Sequence, residues 1–159
     1  MFEKILVYID GTEESLLTAR YAITMAKIYN LELFGVYVVN LKVLEDLVKV
    51  NIFIPTEQAD YEKDMEVDGQ KYLNYLKELA EAKGVRVETV LAKGNVAEEV
   101  KKIALSKNVN IVIISQLKEL LSRSEAFYDE KENIIHRMPM PVFIVKEDKE
   151  KILNLYNSI

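Results

Sequence analysis

The chain has 159 residues, 50% of them hydrophobic, and a formal net charge of −5, which together predict one globular domain and disfavour binding to nucleic-acid phosphates. It contains no cysteine, so disulfides, thiolate catalysis and cysteine-ligated zinc are excluded. No apolar run approaches the roughly 20 residues that span a bilayer, and no signal-peptide core precedes the first strand-like run, so we expect a cytoplasmic protein without a membrane partner.

Strand-like apolar runs alternate with segments of helical periodicity along the whole chain. The five strand-like runs lie at about 4–9, 31–39, 85–92, 110–114 and 141–146. The long helix-like segments between them lie at about 12–29, 61–83, 96–107 and 125–137. This alternation predicts an α/β fold, because strands joined by helices form a parallel sheet. With right-handed crossovers, we expect an open five-stranded sheet in the order 3-2-1-4-5 with helices on both faces.

The first strand-like run, 4–9, leads into a turn at Asp10 and Gly11. Its almost unbroken apolar sequence is typical of a strand buried on both faces. Thr12 is suited to cap the following helix through its hydroxyl group. Asp10 has two interpretations. It is a ligand contact, since ligands of open α/β sheets bind outside the carboxyl ends of the strands, or it is a turn and cap residue.

The segment 41–60 leaves a choice between helix and loop. The residues that would share one face of a short helix there are Leu41, Leu44, Leu47 and Val48. Pro55 follows them, and proline interrupts a continuing helix. We therefore predict that the next long helix begins only at about residue 61 and stops at Gly84.

The remaining polar residues offer little support for catalysis. His136 is the only histidine of the chain, and no triad partner for it is evident in the sequence. The paired carboxylates, such as Glu98 and Glu99, fall at predicted helix starts, where the helix dipole already accounts for them. We therefore predict no catalytic residues and no metal site.

Four segments have a recognisable order and spacing. They are the opening KILVYIDG, the turn and helix GNVAEEV at Gly94, the stretch from Ser115 to Val145, and within it the ending PMPVFIV. Over about residues 2–146 this arrangement resembles the universal stress protein family, in which the fourth strand is followed by the motif G-x2-G-x9-G-[ST]. The resemblance implies the fold of that family, which is like that of the adenine nucleotide alpha hydrolases.

The phosphate-binding frame of that motif is kept in length, but its residues differ. Its three glycine positions fall on Ser115, Lys118 and Tyr128, and its hydroxyl position falls on Asp129. Glycine would let backbone N–H groups approach phosphate oxygens, whereas Tyr128 adds bulk and Asp129 adds a repelling charge. Lys118 could attract an anion as a point charge, or it is a solvated surface lysine.

From this comparison we predict a non-catalytic stress-response or regulatory protein that has no cofactor and does not bind ATP in the family manner. Its protein partner is unknown. The alternative is a nucleotide- or small-anion-binding protein with slow hydrolysis or a switching role. The residues that the resemblance indicates for a bound nucleotide are Asp10, Gly11, Val38, Gly94, Ser115, Lys118, Tyr128 and Asp129.

The resemblance also implies a homodimer in which the last strand pairs with its counterpart. We expect the contacts to come from Val142, Phe143, Ile144 and Val145. Pro141, directly before them, suits a strand at the edge of a sheet.

We predict two parts of the chain, the universal stress protein-like domain at 1–146 and a C-terminal extension at 147–159. The extension has helical periodicity, and the apolar residues on one face are Ile152, Leu155, Tyr156 and Ile159. Such a short helix forms only when it docks, on its own domain or on the partner; otherwise this terminus is frayed and solvated.

Overall fold

The computed structural model describes residues 2–51, 54–117 and 130–159. Its strands are β1 (Lys4–Tyr8), β2 (Glu32–Asn40), β3 (Val87–Gly94), β4 (Ile111–Ser115) and β5 (Val142–Val145). Its helices are α1 (Glu13–Tyr29), α2 (Leu41–Lys49), α3 (Pro55–Glu81), α4 (Val96–Ser106), α5 (Glu130–Arg137) and α6 (Lys149–Ser158). The strands pair in parallel in the order β3-β2-β1-β4-β5, which confirms the predicted sheet.

Helices cover both faces of this sheet and bury its apolar side chains. Successive residues of a strand point to opposite faces of the sheet. In β1, Ile5 and Val7 therefore lie on one face and Leu6 lies on the other. The helices α1, α3 and α6 pack on the first side, and α4 and α5 pack on the second. No helix in the described ranges is both long and apolar enough to cross a membrane.

The region between β2 and β3 differs from the prediction in one respect. Residues 41–49 form α2, which answers the choice between helix and loop for that part. The long helix α3 then begins at Pro55 rather than at residue 61. Proline is well suited to the first turn of a helix because its missing N–H has no helical partner there. The carboxylate of Glu57 accepts the N–H of Ile54 at 3.2 Å and completes this start.

The other boundaries shift by a few residues. The strand β3 runs from Val87 to Gly94, two residues later than the predicted 85–92. Of the predicted helix 125–137, the part from Glu130 onward is α5, and residues 125–129 lie outside the described residues. The prediction placed these ends by composition, whereas hydrogen bonds to the neighbouring strand decide where a strand begins and ends.

The C-terminal extension forms α6, which packs on α1 of its own chain. Ile152 and Tyr156 are buried in the core, and the hydroxyl of Tyr156 donates to the carbonyl oxygen of Leu79 at 2.7 Å. Leu155 was expected to face inward with them, but its side chain is 40% exposed. The contact follows the narrow stripe of Ile152, Tyr156 and Ile159, so residue 155 lies on the flank of the helix.

Candidate functional site at the carboxyl edge of the sheet

The carboxyl ends of the parallel strands meet at one edge, where ligands bind in open α/β sheets. The structure places five of the predicted site residues at or near this edge, namely Asp10, Gly11, Val38, Gly94 and Ser115. Val38 is buried in the core beside α4, and in the register of β2 and β3 it lies two residues before the last pair, Asn40 and Gly94. The other three, Lys118, Tyr128 and Asp129, lie outside the described residues.

Asp10 is held by the turn in which it lies. Its Oδ1 accepts the backbone N–H of Thr12 at 2.9 Å and the hydroxyl of Thr12 at 2.6 Å. The Thr12 hydroxyl oxygen in turn accepts the N–H of Ser15 at 3.2 Å and caps α1 as predicted. These bonds are those of a turn and cap residue, and they account for an aspartate at this position without a ligand.

Gly11 is required by its conformation and by its neighbour. Its φ of +86° lies in the left-handed region, which side chains other than glycine rarely adopt. A Cβ at this position would also lie 2.6 Å from Cε2 of Tyr72, a residue of α3. The Tyr72 ring therefore lies directly against the backbone of the first turn. The sequence analysis did not identify Tyr72, because its contact is with a residue 61 positions earlier in the chain.

Tyr37 of β2 lies beside this contact, with its ring centroid 6.0 Å from that of Tyr72. Its side chain is 7% exposed. Burial raises the pKa of the Tyr37 phenol to about 12, with smaller contributions from Tyr72 and from the negative charges of Asp68 and Asp10. The Tyr37 phenol therefore keeps its proton at neutral pH.

A buried lysine lies at the end of β4. Lys131 is 5% exposed, and its Nζ donates to Oγ of Ser115 at 3.3 Å and to the carbonyl oxygen of Gln116 at 2.8 Å. Ser115, which is 2% exposed, is the first position of the phosphate-binding frame. A lysine is almost never this buried unless it is paired, so the contact is a specific feature of the site.

The sequence analysis missed Lys131, although a signal for it was present. Lys131 is spaced i, i+3, i+4 and i+7 with the apolar residues Ile134, Ile135 and Met138, and this spacing puts it on the inner face of α5. The sequence analysis explained charged residues at helix starts by the helix dipole and did not consider on which face of the helix each one lies. The position on the helix, rather than the type, decides where the side chain points.

Asn40 joins the end of β2 to the start of α5. Its Nδ2 donates to Oε1 of Glu130 at 3.2 Å, while its Oδ1 accepts the N–H of Val43 and caps α2. Gly94 ends β3 with a φ of +141°, and Asn95 then caps α4 through the N–H of Glu98. The polar groups at these strand ends therefore have partners within the protein.

The rim of the edge carries an ion-pair cluster. Lys93 of β3 contacts the carboxylates of Glu62, at 3.5 Å, and Glu66, both on α3. The hydrogen bond with Glu66 contributes most to raising the pKa of Lys93 above its ordinary value. Within the described ranges, no group of three or more His, Asp or Glu residues could hold a metal ion.

This chain is similar in sequence to a known protein family and to individual members of that family. The universal stress protein family matches residues 1–146. A universal stress protein of Methanocaldococcus jannaschii is 28% identical over 159 residues, which cover 95% of this chain and 86% of that protein. The universal stress protein YxiE of Bacillus subtilis is 33% identical over 128 residues, which cover 76% of this chain and 86% of that protein.

Solved structures show the same fold. The universal stress protein UspA of Lactobacillus plantarum matches with a TM-score of 0.72 and 11% identity, over 91% of this chain and 98% of that chain. A universal stress protein in complex with cAMP matches with a TM-score of 0.67 and 16% identity, over 92% and 99%. An Archaeoglobus fulgidus relative in complex with dAMP matches with a TM-score of 0.61 and 11% identity, over 92% and 98%.

Proposed function

Because the chain belongs to the universal stress protein family, we propose that it is a non-catalytic stress-response or regulatory protein that does not bind ATP in the family manner. It acts through contacts with another protein, and as a homodimer. The chemistry at the carboxyl edge agrees with this role, since Asp10, Asn40 and Ser115 are engaged with neighbouring groups of the same chain.

The observation that carries the proposal is the contact between Lys131 and Ser115. In the family frame this end of β4 begins the loop in which glycine N–H groups approach phosphate oxygens. Here the end of the strand carries a serine side chain, and a buried lysine from α5 contacts both that side chain and the next carbonyl oxygen. The Lys131 ammonium would itself attract a phosphate, so a triphosphate is opposed by the Ser115 side chain at the start of the loop and by Tyr128 and Asp129 in the same frame of the sequence.

Isothermal titration with Mg-ATP tests the proposal directly. We expect no binding at micromolar concentrations of nucleotide. A parallel assay follows release of ADP and should give the rate of the buffer alone. A low-micromolar dissociation constant, or ADP release that rises with protein concentration, would refute the non-binding, non-catalytic role.

The dimer is proposed from the edge strand β5. In the described sheet β5 pairs with β4 on one side only, so its other backbone edge is available to a second copy. Phe143 and Ile144 point to opposite faces of the sheet, and each is 37% exposed. Val142 is half-buried, and the Val145 side chain is buried in its own core, so Val145 would contribute its backbone rather than its side chain.

A second function, binding of a nucleotide or small anion with a switching role or slow hydrolysis, is favoured by one observation. Lys131 places a buried ammonium group in the first turn of α5, where the helix dipole also favours an anion. Family structures in complex with cAMP and dAMP agree with this alternative.

The two functions are distinguished by what the purified protein carries. Ultraviolet absorbance and mass spectrometry of the material released by denaturation should reveal no nucleotide if the first proposal holds. If nucleotide is released, the variant Lys131→Met should lose it, because methionine keeps an unbranched side chain of nearly the same length and removes the charge. Retention by the variant would exclude Lys131 as the anion contact.

A further inference from the structure

We infer that the first half of α3, residues 55–68, is a docking surface for a basic protein segment that contains arginine. This half of the helix is called the α3 arm below. The inference deepens the proposed function, on which it rests, because it gives the chemistry of the protein partner.

The α3 arm has no buried face. In the second half of α3, Gly69, Leu73, Leu76 and Ala80 are buried against the sheet. Among residues 55–68, all of which the structure describes, none is buried. The 27 residues of α3 rise about 40 Å, whereas the 9 residues of β2 span about 30 Å, so the helix is longer than the sheet that it covers. Helices in proteins are stabilised mainly by packing, and the arm therefore keeps a face for a partner.

The charge of the α3 arm indicates which partner it suits. Its six carboxylates and one lysine give a formal charge of −5, which equals the net charge of the whole chain. The carboxylates are those of Glu57, Asp60, Glu62, Asp64, Glu66 and Asp68. Among the ion pairs of the described residues, only those of Lys93 with Glu62 and Glu66 involve the arm. A second copy of the arm and the phosphates of nucleic acids are repelled by this charge, whereas a basic protein segment is attracted.

One face of the α3 arm combines apolar side chains with carboxylates. Helical spacing places Ile54, Glu57, Tyr61, Asp64 and Asp68 on this face, and all five are exposed. The side chains of Ile54 and Tyr61 are 59% and 48% exposed. A guanidinium group can stack on an aromatic ring and pair with carboxylates at the same time, so this face matches arginine better than lysine.

The same face of α3 already holds an arginine further along the helix. Tyr75 lies two heptads after Tyr61, and the Arg20 guanidinium of α1 lies 5.6 Å from its ring centroid. Arg20 also donates to the Tyr75 hydroxyl at 2.7 Å. Gly11, which precedes α1, meets Tyr72, so α1 lies beside the second half of α3 and leaves the arm uncovered by α1. An arginine from a second protein would take the corresponding position at Tyr61.

Fluorescence anisotropy of a labelled peptide tests the inference on the full chain. The probe is a fluorescein-labelled helical peptide that carries arginine and leucine on one face and glutamine elsewhere. It should bind the wild type saturably, and its affinity should fall as salt is added. A matched peptide with citrulline in place of arginine keeps the shape and removes the charge, so it should not bind.

Variants of the exposed face locate the binding. Asp64→Asn combined with Asp68→Asn should weaken binding of the arginine peptide about three- to tenfold. Tyr61→Leu keeps an apolar side chain but removes the ring, and it should weaken binding about two- to fivefold. The matched control is Glu78→Gln combined with Glu81→Gln, which removes the same charge from exposed positions in the second half of α3 and should leave the affinity unchanged.

Three results would overturn the inference. They are no binding of the arginine peptide at high micromolar concentration, equal binding of the citrulline peptide, and an equal loss of affinity in the control and in the Asp64 and Asp68 variant. Mg-ATP binding by the wild type would refute the proposed function instead. The peptide comparison is read on residues that the ATP prediction does not use, so the two failures are distinguishable.

Discussion

Tyr37 shows how burial changes the chemistry of a single residue. Its ring packs against the α3 glycine, Gly69, and beside Tyr72, and its phenol keeps its proton because a buried phenolate would lose its hydration. The resulting pKa of about 12 lies well above the ordinary value of about 10 for tyrosine. The folded protein therefore holds this proton more tightly than the unfolded chain does.

From this difference we predict a pH dependence above the neutral range. The stability that Tyr37 contributes through its raised pKa is fully present below about pH 10 and is lost as the pH rises through about 12. Urea unfolding of Tyr37→Phe, measured at a series of pH values, should therefore lose stability less steeply than the wild type over this range. In the folded wild type, absorbance at 295 nm should show a late titration step from the Tyr37 phenolate. This step should be missing from Tyr37→Phe, and it should be absent from both proteins in denaturant. Identical pH slopes would contradict the prediction.

The phosphate-binding frame provides a second prediction about residues. The combined changes Ser115→Gly, Lys118→Gly, Tyr128→Gly and Asp129→Ser restore the family motif, so ATP affinity should appear in isothermal titration. A control with alanine at all four positions removes the same bulk and charge without the freedom of glycine. We expect the control to bind more weakly or not at all. If neither protein binds, the four substituted positions are not sufficient to explain the absence of ATP binding, and the prediction is wrong.

At the scale of elements, α6 depends on tertiary contacts. A ten-residue helix is marginal by itself in water, so its stability comes from docking. The Tyr156 ring lies 4.6 Å from Nζ of Lys83 and 5.8 Å from the Arg20 guanidinium, and Lys149 pairs with Glu13 of α1. The ion pair is exposed, and exposed ion pairs contribute little to stability. The buried apolar residues of α6 therefore provide most of the free energy of docking.

Truncation after Lys146 should therefore lower the Tm by several degrees.

Point variants distinguish the loss of a buried side chain from the removal of the whole segment. Ile152→Ala empties a buried position and should cost about 2–5 kcal/mol, whereas Leu155→Ala changes a side chain that is 40% exposed and should cost well under 1 kcal/mol. Differential scanning calorimetry measures both. Equal effects of the two substitutions would show that α6 does not dock in this orientation.

At the scale of the whole molecule, the proposed dimer depends on the edge strand β5. Light scattering of the wild type should report about 37 kDa, which is two copies of the 18.3-kDa chain. Phe143→Asp or Ile144→Asp should reduce this mass to that of one chain, because a carboxylate at an apolar contact is costly to bury. Leu105→Asp, at an exposed leucine in the last turn of α4, is the control and should remain dimeric. A monomeric wild type at high micromolar concentration would count against the interface.

Much of the fold could be predicted because its signals are local in the chain. The unbroken apolar run of β1 is buried on both faces, and the Thr12 cap starts α1 as expected. Given five strands joined by helices, the handedness of crossovers then restricts the order of the sheet. The error at Pro55 arose because proline stops a helix that precedes it but favours one that it begins, and only the surrounding chain decides between the two.

The sequence by itself thus determined the architecture and which strand ends form the candidate site. Only the tertiary structure decided what occupies that site, because the deciding contacts join residues far apart in the chain. Tyr72 meets Gly11 across the first turn, and Lys131 meets Ser115 at the end of β4. Periodicity tells which face of a helix turns inward, but not which atoms it meets there. Those partners are set by how the helices pack on the sheet.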